Sequence, residues 1–373
     1  MGKRVGIITF HRSYNCGSMM QTYALQTMVE RLGHSPRIIN FSNEGQKALY
    51  SALFPWNSPK NLIKNLVLLP HRAHVLRGYA EYERFISDNF KVTGAIVSDM
   101  SELTDDGLDV VIAGSDQVWN VTIEDGDDAY FLPWVSHAKK VAYAPSFGAK
   151  NPSVYADAPE LYAGYLSDFD ALSVRENNGC RWIRDLIGID VPVLLDPTLL
   201  LDATDYENLE ADLPALPDRY IFYYSPGYSS DINRLIEAVS KKYGIPVIAF
   251  NAKHFYVKGM NLMSSFSLPP KEGPAAYLSL IKKASVVFTT SFHGTIFSTI
   301  YRKPFWTVKN GGMFGDDDRV LTLVSSLGID DRLCPIAFDD DLDYLSMPDW
   351  TAYEDALDKE REKSILWLSR ALE

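Results

Sequence analysis

Cysteine is scarce. The 373 residues hold three, Cys16, Cys180 and Cys334, far apart in the chain. An odd number at such spacing argues against a disulfide framework and fits a reducing compartment. Long apolar runs are also missing: none approaches the ~18 residues of a membrane-spanning helix. The chain enters a strand-like run at Lys3 without a signal-peptide pattern, so a cytoplasmic location is expected. Basic charge is in deficit. The 36 Lys and Arg against 48 Asp and Glu leave a net charge of −12, which disfavours general nucleic-acid binding. It does not disfavour small anionic ligands, which respond to local charge. The seven histidines lack H-E-x-x-H or comparable spacing, so no metal site is expected. The first βα loop has neither G-x-G-x-x-G nor a Walker lysine, which weakens the dinucleotide and P-loop readings. No cofactor is expected.

What is present is ordinary globular composition, 46% hydrophobic and 23% charged, at a length that predicts two or three domains. The most informative stretch is Ser285 to Ile300. A β-branched and aromatic run, Val286 to Thr289, predicts a buried strand. A sharp turn follows through Ser291-Phe292-His293-Gly294. Apolar residues at Ile296, Phe297 and Ile300 then share one helical face. In an open α/β sheet such a turn lies at the carboxyl edge, where ligands bind. His293 would stand at a helix N-terminus, a place for an anion and for proton transfer.

The same alternation runs through the first half. Lys3–Phe10 reads as a strand, His11–Ser18 as a polar loop with Asn15, Cys16 and Gly17, and Met19–Leu32 as a helix stopped by Gly33. Cys16 has no assignable partner base, so a nucleophilic role is disfavoured. Leu108–Ala113 is a strand that delivers Gly114-Ser115-Asp116-Gln117-Val118-Trp119-Asn120. Asp116 either accepts from a ligand hydroxyl or caps the next segment. Phe169–Val174 ends in Arg175-Glu176. An arginine there suits a carboxylate or phosphate, unless it pairs with its acidic neighbour. Pro192–Leu201 closes this half, and the acidic stretch Asp202–Asp218, with two prolines, reads as a linker.

In the second half, the strand Tyr220–Tyr224 leads to Ser225-Pro226-Gly227, and Pro304–Val308 leads to a Gly-rich loop, Lys309 to Gly315, suited to closing over a ligand. Arg319 opens the next helix, and Trp350–Leu372 is a long terminal one. Residues 46–80 stand apart: Lys47, Lys60, Lys64, Arg72 and Arg77 with no acidic residue, among many apolar ones. That pattern suits peripheral contact with an anionic membrane face, or an ordinary helical insertion packed on the domain. The expected architecture is α/β and GT-B-like, with two Rossmann-like doubly wound domains facing a central cleft. The domains are 1–205 (acceptor side, carrying the insertion) and 215–350 (donor side), with helix 351–373 packing back on the first. Asn15, Asp116, Arg175, Ser225 and His293 should converge on the cleft.

Asn15-Cys16-Gly17, the Gly114–Asn120 turn, Ser173-Val174-Arg175-Glu176, Leu195-Asp196-Pro197-Thr198, and Ser291-Phe292-His293-Gly294-Thr295 followed by Lys303-Pro304-Phe305 together resemble the polysaccharide pyruvyl transferase family. The resemblance runs in order from about residue 3 to about residue 335. It implies transfer of a pyruvyl unit from phosphoenolpyruvate to a sugar, forming a ketal on two hydroxyls. The acceptor would be a cell-surface polysaccharide, of capsule or exopolysaccharide type, or its lipid-linked precursor. By motif match, His293 and Arg175 take the donor-binding and catalytic roles. Asp116 joins His293 as the second catalytic candidate. The donor-side set is Arg175, Ser225, Gly227, Ser291, Phe292, Gly294, Thr295, Lys309 and Arg319. The acceptor-side set is Asn15, Cys16, Gly17, Ser115, Gln117 and Trp119. One departure stands out. Many members carry Arg-Leu-His where this chain has Ser291-Phe292-His293, so Arg319 or Lys309 would supply the missing positive charge. A nucleotide-sugar glycosyltransferase of the same fold, or a non-catalytic carbohydrate-binding protein, are the alternatives.

Overall fold

The computed structural model describes residues 2–309 and 318–373. The Gly-rich stretch read above as a closing loop, 310–315, lies outside the described residues. The first half contains β1 (Arg4–Ile8), α1 (Cys16–Arg31), β2 (Ser35–Ile38), α2 (Glu44–Leu49), α3 (Pro59–Leu68), α4 (Arg72–Asn89), β3 (Val110–Ala113), β4 (Lys139–Ala142), α5 (Pro152–Tyr155), α6 (Pro159–Ser167), β5 (Ala171–Leu172) and α7 (Asn177–Ile187). After α8 (Ala203–Glu207) the second half contains β6 (Ile221–Tyr224), α9 (Ser230–Tyr243), β7 (Val247–Ala249), α10 (Ala252–Val257), α11 (Met260–Met263), α12 (Pro274–Lys283), β8 (Val286–Thr289), α13 (Phe292–Ile300), β9 (Phe305–Val308), α14 (Arg319–Ser326) and β10 (Leu333–Cys334). The last helix is α15 (Trp350–Leu372).

Both sheets are parallel and share one order: β2-β1-β3-β4-β5 in the first domain and β7-β6-β8-β9-β10 in the second. Strands β3, β6, β8 and β9 are buried throughout, which is why they read as near-continuous apolar runs. In this order the chain reverses direction across the sheet between β1 and β3, and again between β6 and β8. Those are the switch points where loops diverge and leave a crevice. The architecture is thus two Rossmann-like, doubly wound domains across a cleft, the GT-B-like arrangement.

Local chemistry moves two boundaries. Asn15 caps α1 through its side chain, so Cys16, Gly17 and Ser18 form the helix's first turn and are not loop. The acidic linker opens as helix α8, because Asp202 and Asp205 form a capping box.

The two domains share a core. One apolar cluster includes Met19, Met20 and Leu25 of α1 together with Tyr277, Ile281, Ile296 and Phe297 of α12 and α13. Each such side chain contributes about 1.5–3 kcal/mol on full burial, so the junction is an extended apolar interface and not a loose hinge. Helix α15 straps it. Tyr353 donates to Thr299 in the second domain at 2.9 Å. Further along, Arg361 donates to the carbonyls of Leu199 (2.7 Å) and Leu201 (3.1 Å) in the first. The 46–80 insertion is helical and also bridges: Leu68 and Val75 pack on Ala252 of α10.

Candidate active site

The loops at the two switch points face each other across a cavity of about 470 Å³. Its lining includes Asn15, Ser18, Asp116, Gln117 and Arg175 from one domain and Pro226, Ser291, Phe292, His293 and Arg319 from the other.

Two helix N-termini meet here. Asn15 accepts from the Gly17 N–H at 2.8 Å, and Ser291 accepts from the Gly294 N–H at 3.3 Å. A Cβ on Gly17 would fall 2.1 Å from Nδ1 of His293, so only glycine lets α1 and α13 approach this closely. Each helix end carries roughly half a positive charge and unpaired N–H groups. Together they make a focus for an anion.

Behind the cavity is a buried charge cluster. Asp196 accepts from Nη1 of Arg175 at 2.7 Å through Oδ2, and the same oxygen lies 3.3 Å from Nε2 of His293. Its Oδ1 accepts from the Thr198 N–H (3.0 Å) and hydroxyl (2.7 Å). Burial alone would raise this carboxyl. The His293 and Arg175 charges and the Thr198 bonds outweigh burial and hold it well below the usual carboxylate range. The contact orients the His293 ring with Nε2 toward the carboxylate.

Arg175 has further connections. Its guanidinium lies 4.4 Å over the Phe292 ring, and Nη2 is 3.7 Å from Asp116. Its buried Nε has no hydrogen-bond partner, so the side chain retains capacity for a ligand oxygen. Arg175 pairs with Asp196, whereas Glu176 accepts from the Phe147 N–H at 2.9 Å.

Asp116 sits at a φ of +73°, a left-handed conformation that Asp tolerates better than most residues. Its carboxylate accepts from the Ser18 hydroxyl (2.6 Å) and from the Gln117 N–H (2.8 Å). The preceding Gly114 has no alternative: a Cβ there would lie 2.3 Å from the Tyr143 carbonyl oxygen, at a φ of +119°.

Several expected site residues stand elsewhere. Cys16 is fully buried with its thiol 3.1 Å from the Tyr82 hydroxyl, and burial pushes the thiol's pKa up. Trp119 is a core residue, stacked on Phe131 and donating to the Tyr130 carbonyl. Ser115 donates to the Ala144 carbonyl at 2.6 Å, behind the cavity wall. Thr295 pairs with Thr307 at 2.6 Å. Gly294 packs on Thr289, which a Cβ would strike at 2.2 Å. Ser225 bonds to Gly227 and Thr290, bracing the rim at Pro226. Lys309 is exposed at the end of β9 and does not line the cavity.

Sequence reasoning missed two acids. Asp196 lies in the Leu195–Thr198 motif, but nothing local marks it as the partner of Arg175 and His293. Asp125 lies on the wall formed with Glu124 and Tyr50. Burial, reinforced by Asp116 and Glu124 and opposed by a backbone hydrogen bond, pushes its carboxyl up to about 6. The cavity therefore carries both signs, with Arg175, Arg319 and the helix ends beside Asp116, Glu124 and Asp125, and Asp116 only 3.7 Å from Arg175. That arrangement suits an anion facing a hydroxyl-bearing partner.

A family model described as "Polysaccharide pyruvyl transferase" matches residues 15–312. A search of the curated proteins returns no match. Among solved structures, the Escherichia coli heptosyltransferase WaaC with ADP-2-deoxy-2-fluoro heptose is 13% identical, covering 95% of this chain and 99% of that one at a TM-score of 0.41. Staphylococcus aureus MnaA with UDP is 12% identical, covering 99% and 91% at 0.48. The UDP-GlcNAc 2-epimerase of Methanocaldococcus jannaschii is 11% identical, covering 96% and 92% at 0.47.

The charge cluster generates a pH-dependent prediction. Asp196 has a depressed folded-state pKa, so its contribution to stability is present above its unfolded pKa of ~3.9 and is lost as pH falls further. Asp196→Asn leaves Arg175 without its carboxylate and should cost about 3 kcal/mol at pH 7. In denaturant titrations the gap from wild type should shrink steadily below pH 4. A gap that stays constant down to pH 2 would show that the carboxylate's charge is not what stabilises this junction.

Proposed function

The chain belongs to the polysaccharide pyruvyl transferase family and is a transferase with a saccharide acceptor, and on that premise we propose that it moves a pyruvyl unit from phosphoenolpyruvate to two hydroxyls of a saccharide, closing a cyclic ketal and releasing phosphate. The observation that carries this reading is the meeting of Arg175 and His293 on Asp196, between the N-termini of α1 and α13.

Phosphoenolpyruvate brings a carboxylate and a phosphate to one small carbon skeleton. In this reading Arg175 takes the carboxylate through Nε and Nη2. The α13 N-terminus and Arg319 take the phosphate. Arg319 lines the same cavity as Ser291 and stands in for the arginine that other members carry in the His-Gly turn. A proton adds to the methylene carbon, and an acceptor hydroxyl oxygen bonds to the central carbon as its own proton leaves. The second hydroxyl then displaces phosphate, which departs with that hydroxyl's proton. His293 is the acid. Asp116, with Asp125 beside it, receives the acceptor's proton.

The acceptor would be a polysaccharide unit or its lipid-linked precursor at a membrane face. The insertion supports this. Trp56 (70%), Ile63 (62%) and Leu69 (59%) are exposed on a segment with five cations and no acid. The α10–α11 region packed beside it, residues 252–271, also lacks Asp and Glu and exposes Leu262 and Met263. In a protein of net charge −12, an acid-free apolar face suits an anionic bilayer.

Isothermal calorimetry should detect phosphoenolpyruvate binding to wild type and little to Arg175→Ala, a loss of at least ~100-fold for a buried charge-paired contact. UDP- and GDP-sugars should give no heat. Binding of a nucleotide sugar alone would move the chain to glycosyl transfer. In a separate assay, vesicles containing phosphatidylglycerol should pellet wild type at low salt. Trp56→Ser/Ile63→Ser should remain in the supernatant, and equal pelleting of both would remove the membrane contact.

A further inference from the structure

A second cavity, of about 300 Å³, adjoins the first and shares Asn15, Leu49, Tyr50 and Pro226 with it. Its size falls within the ~300–1,000 Å³ range of small-molecule sites. It is built where the insertion meets the second domain, between α4 and the loop that opens α10. Tyrosines dominate the walls: Tyr14, Tyr50, Tyr79, Tyr82 and Tyr224. We propose that this tyrosine pocket is the acceptor subsite and takes an uncharged hexopyranose ring, whose two reacting hydroxyls reach past Tyr50 to Asp116 and His293; the assignment of the acceptor rests on the pyruvyl-transfer reading of the neighbouring cavity.

The chemistry of the lining selects this ligand class. A pyranose has apolar C–H faces and a rim of hydroxyls. Tyrosine offers a flat apolar face with a polar tip. Here the rings are held rigid. Tyr14 stacks on Tyr82 with centroids 5.3 Å apart and meets Tyr79 edge-on at 5.2 Å. A preorganised aromatic wall loses little side-chain freedom when a ligand binds.

The polar groups point to a neutral partner. Lys253 lines the pocket, but its ammonium donates to the Ser51 carbonyl at 2.7 Å and lies 4.3 Å over the Phe54 ring. The Glu272 carboxylate accepts from the N–H groups of Asn251 and Ala252 at 2.7 and 2.9 Å. The cation and the acid are thus both engaged by protein groups. His254 is different. Its buried Nδ1 has no hydrogen-bond partner, a state that native structures rarely leave unfilled. Burial, with Lys253, Lys258 and Lys64 nearby, lowers its pKa to about 4, so the ring is neutral at pH 7. A neutral imidazole nitrogen suits a hydroxyl, which can donate or accept.

The position is also suitable. The pocket shares Tyr50 and Asn15 with the reacting cavity and is itself lined by Val75, Gly78 and Tyr79 of the acid-free insertion. A lipid-linked saccharide could present its sugar inward while its lipid stays at that face.

Saturation-transfer NMR on the full chain with phosphoenolpyruvate present, using methyl glycosides of glucose, galactose, mannose and N-acetylglucosamine as probes, tests the assignment. At least one glycoside should receive saturation, most strongly at its ring protons. Tyr79→Ala should weaken that glycoside about tenfold, the scale of one lost aromatic contact. Tyr79→Phe should stay within about threefold of wild type. Phosphoenolpyruvate affinity, read in parallel by calorimetry, should be unchanged in both variants, which also shows that they are folded. Saturation of no glycoside, or equal glycoside affinity in wild type and Tyr79→Ala, overturns the subsite. Failure of wild type to bind phosphoenolpyruvate strikes the donor reading instead, so the two results separate.

Discussion

A single buried carboxylate, Asp196, holds the junction of the two domains together. It receives Arg175 from its own domain and faces His293 from the other. Arg175 is cationic, and both partners are buried. In such surroundings an arginine without a counter-ion would be strongly unfavourable. The carboxylate removes that cost and fixes where the guanidinium and the imidazole stand. Because His293 is delivered by α13 and Asp196 by the end of the first domain, the same interaction sets the register of the two domains. The shared apolar core along α1, α12 and α13 then keeps that register fixed.

The repeated topology explains why the charges meet there. Each sheet places its switch point at the carboxyl ends of its first and third strands. When two such domains face each other, the helices that leave those points bring their N-termini together. Close approach depends on Gly17, whose missing side chain is the space that His293 occupies. The positive ends of two helices and one buried arginine then share the cavity with Asp125 and with Asp116, which lies 3.7 Å from Arg175.

Much of this was legible in the sequence because it is locally encoded. The runs at Val110–Ala113, Ile221–Tyr224 and Val286–Thr289 are buried on both faces and read as strands without tertiary knowledge. The Ser291-Phe292-His293-Gly294 turn carries its own cap and helix start. Direction was less legible than position. Cys16 and Trp119 belong to the right segments, but their side chains turn into the core, toward Tyr82 and Phe131. That orientation depends on packing partners far away in the chain. Asp196 was missed for the same reason: its partners are 21 and 97 residues distant, and an Asp-Pro pair looks locally like a turn. The insertion's cations were visible in the sequence, but not its bridge to α10, which places the tyrosine pocket beside the first cavity.

The most direct test of the central claim is a crystal structure of the protein soaked with phosphoenolpyruvate. The donor's carboxylate should lie within hydrogen-bond distance of the Arg175 guanidinium, with its phosphate at the N-terminus of α13 near His293 and Arg319. Asp196 should still bridge Arg175 and His293. Donor density lodged elsewhere, or an Arg175 that leaves the cavity when the donor binds, would contradict an anion site built on this junction.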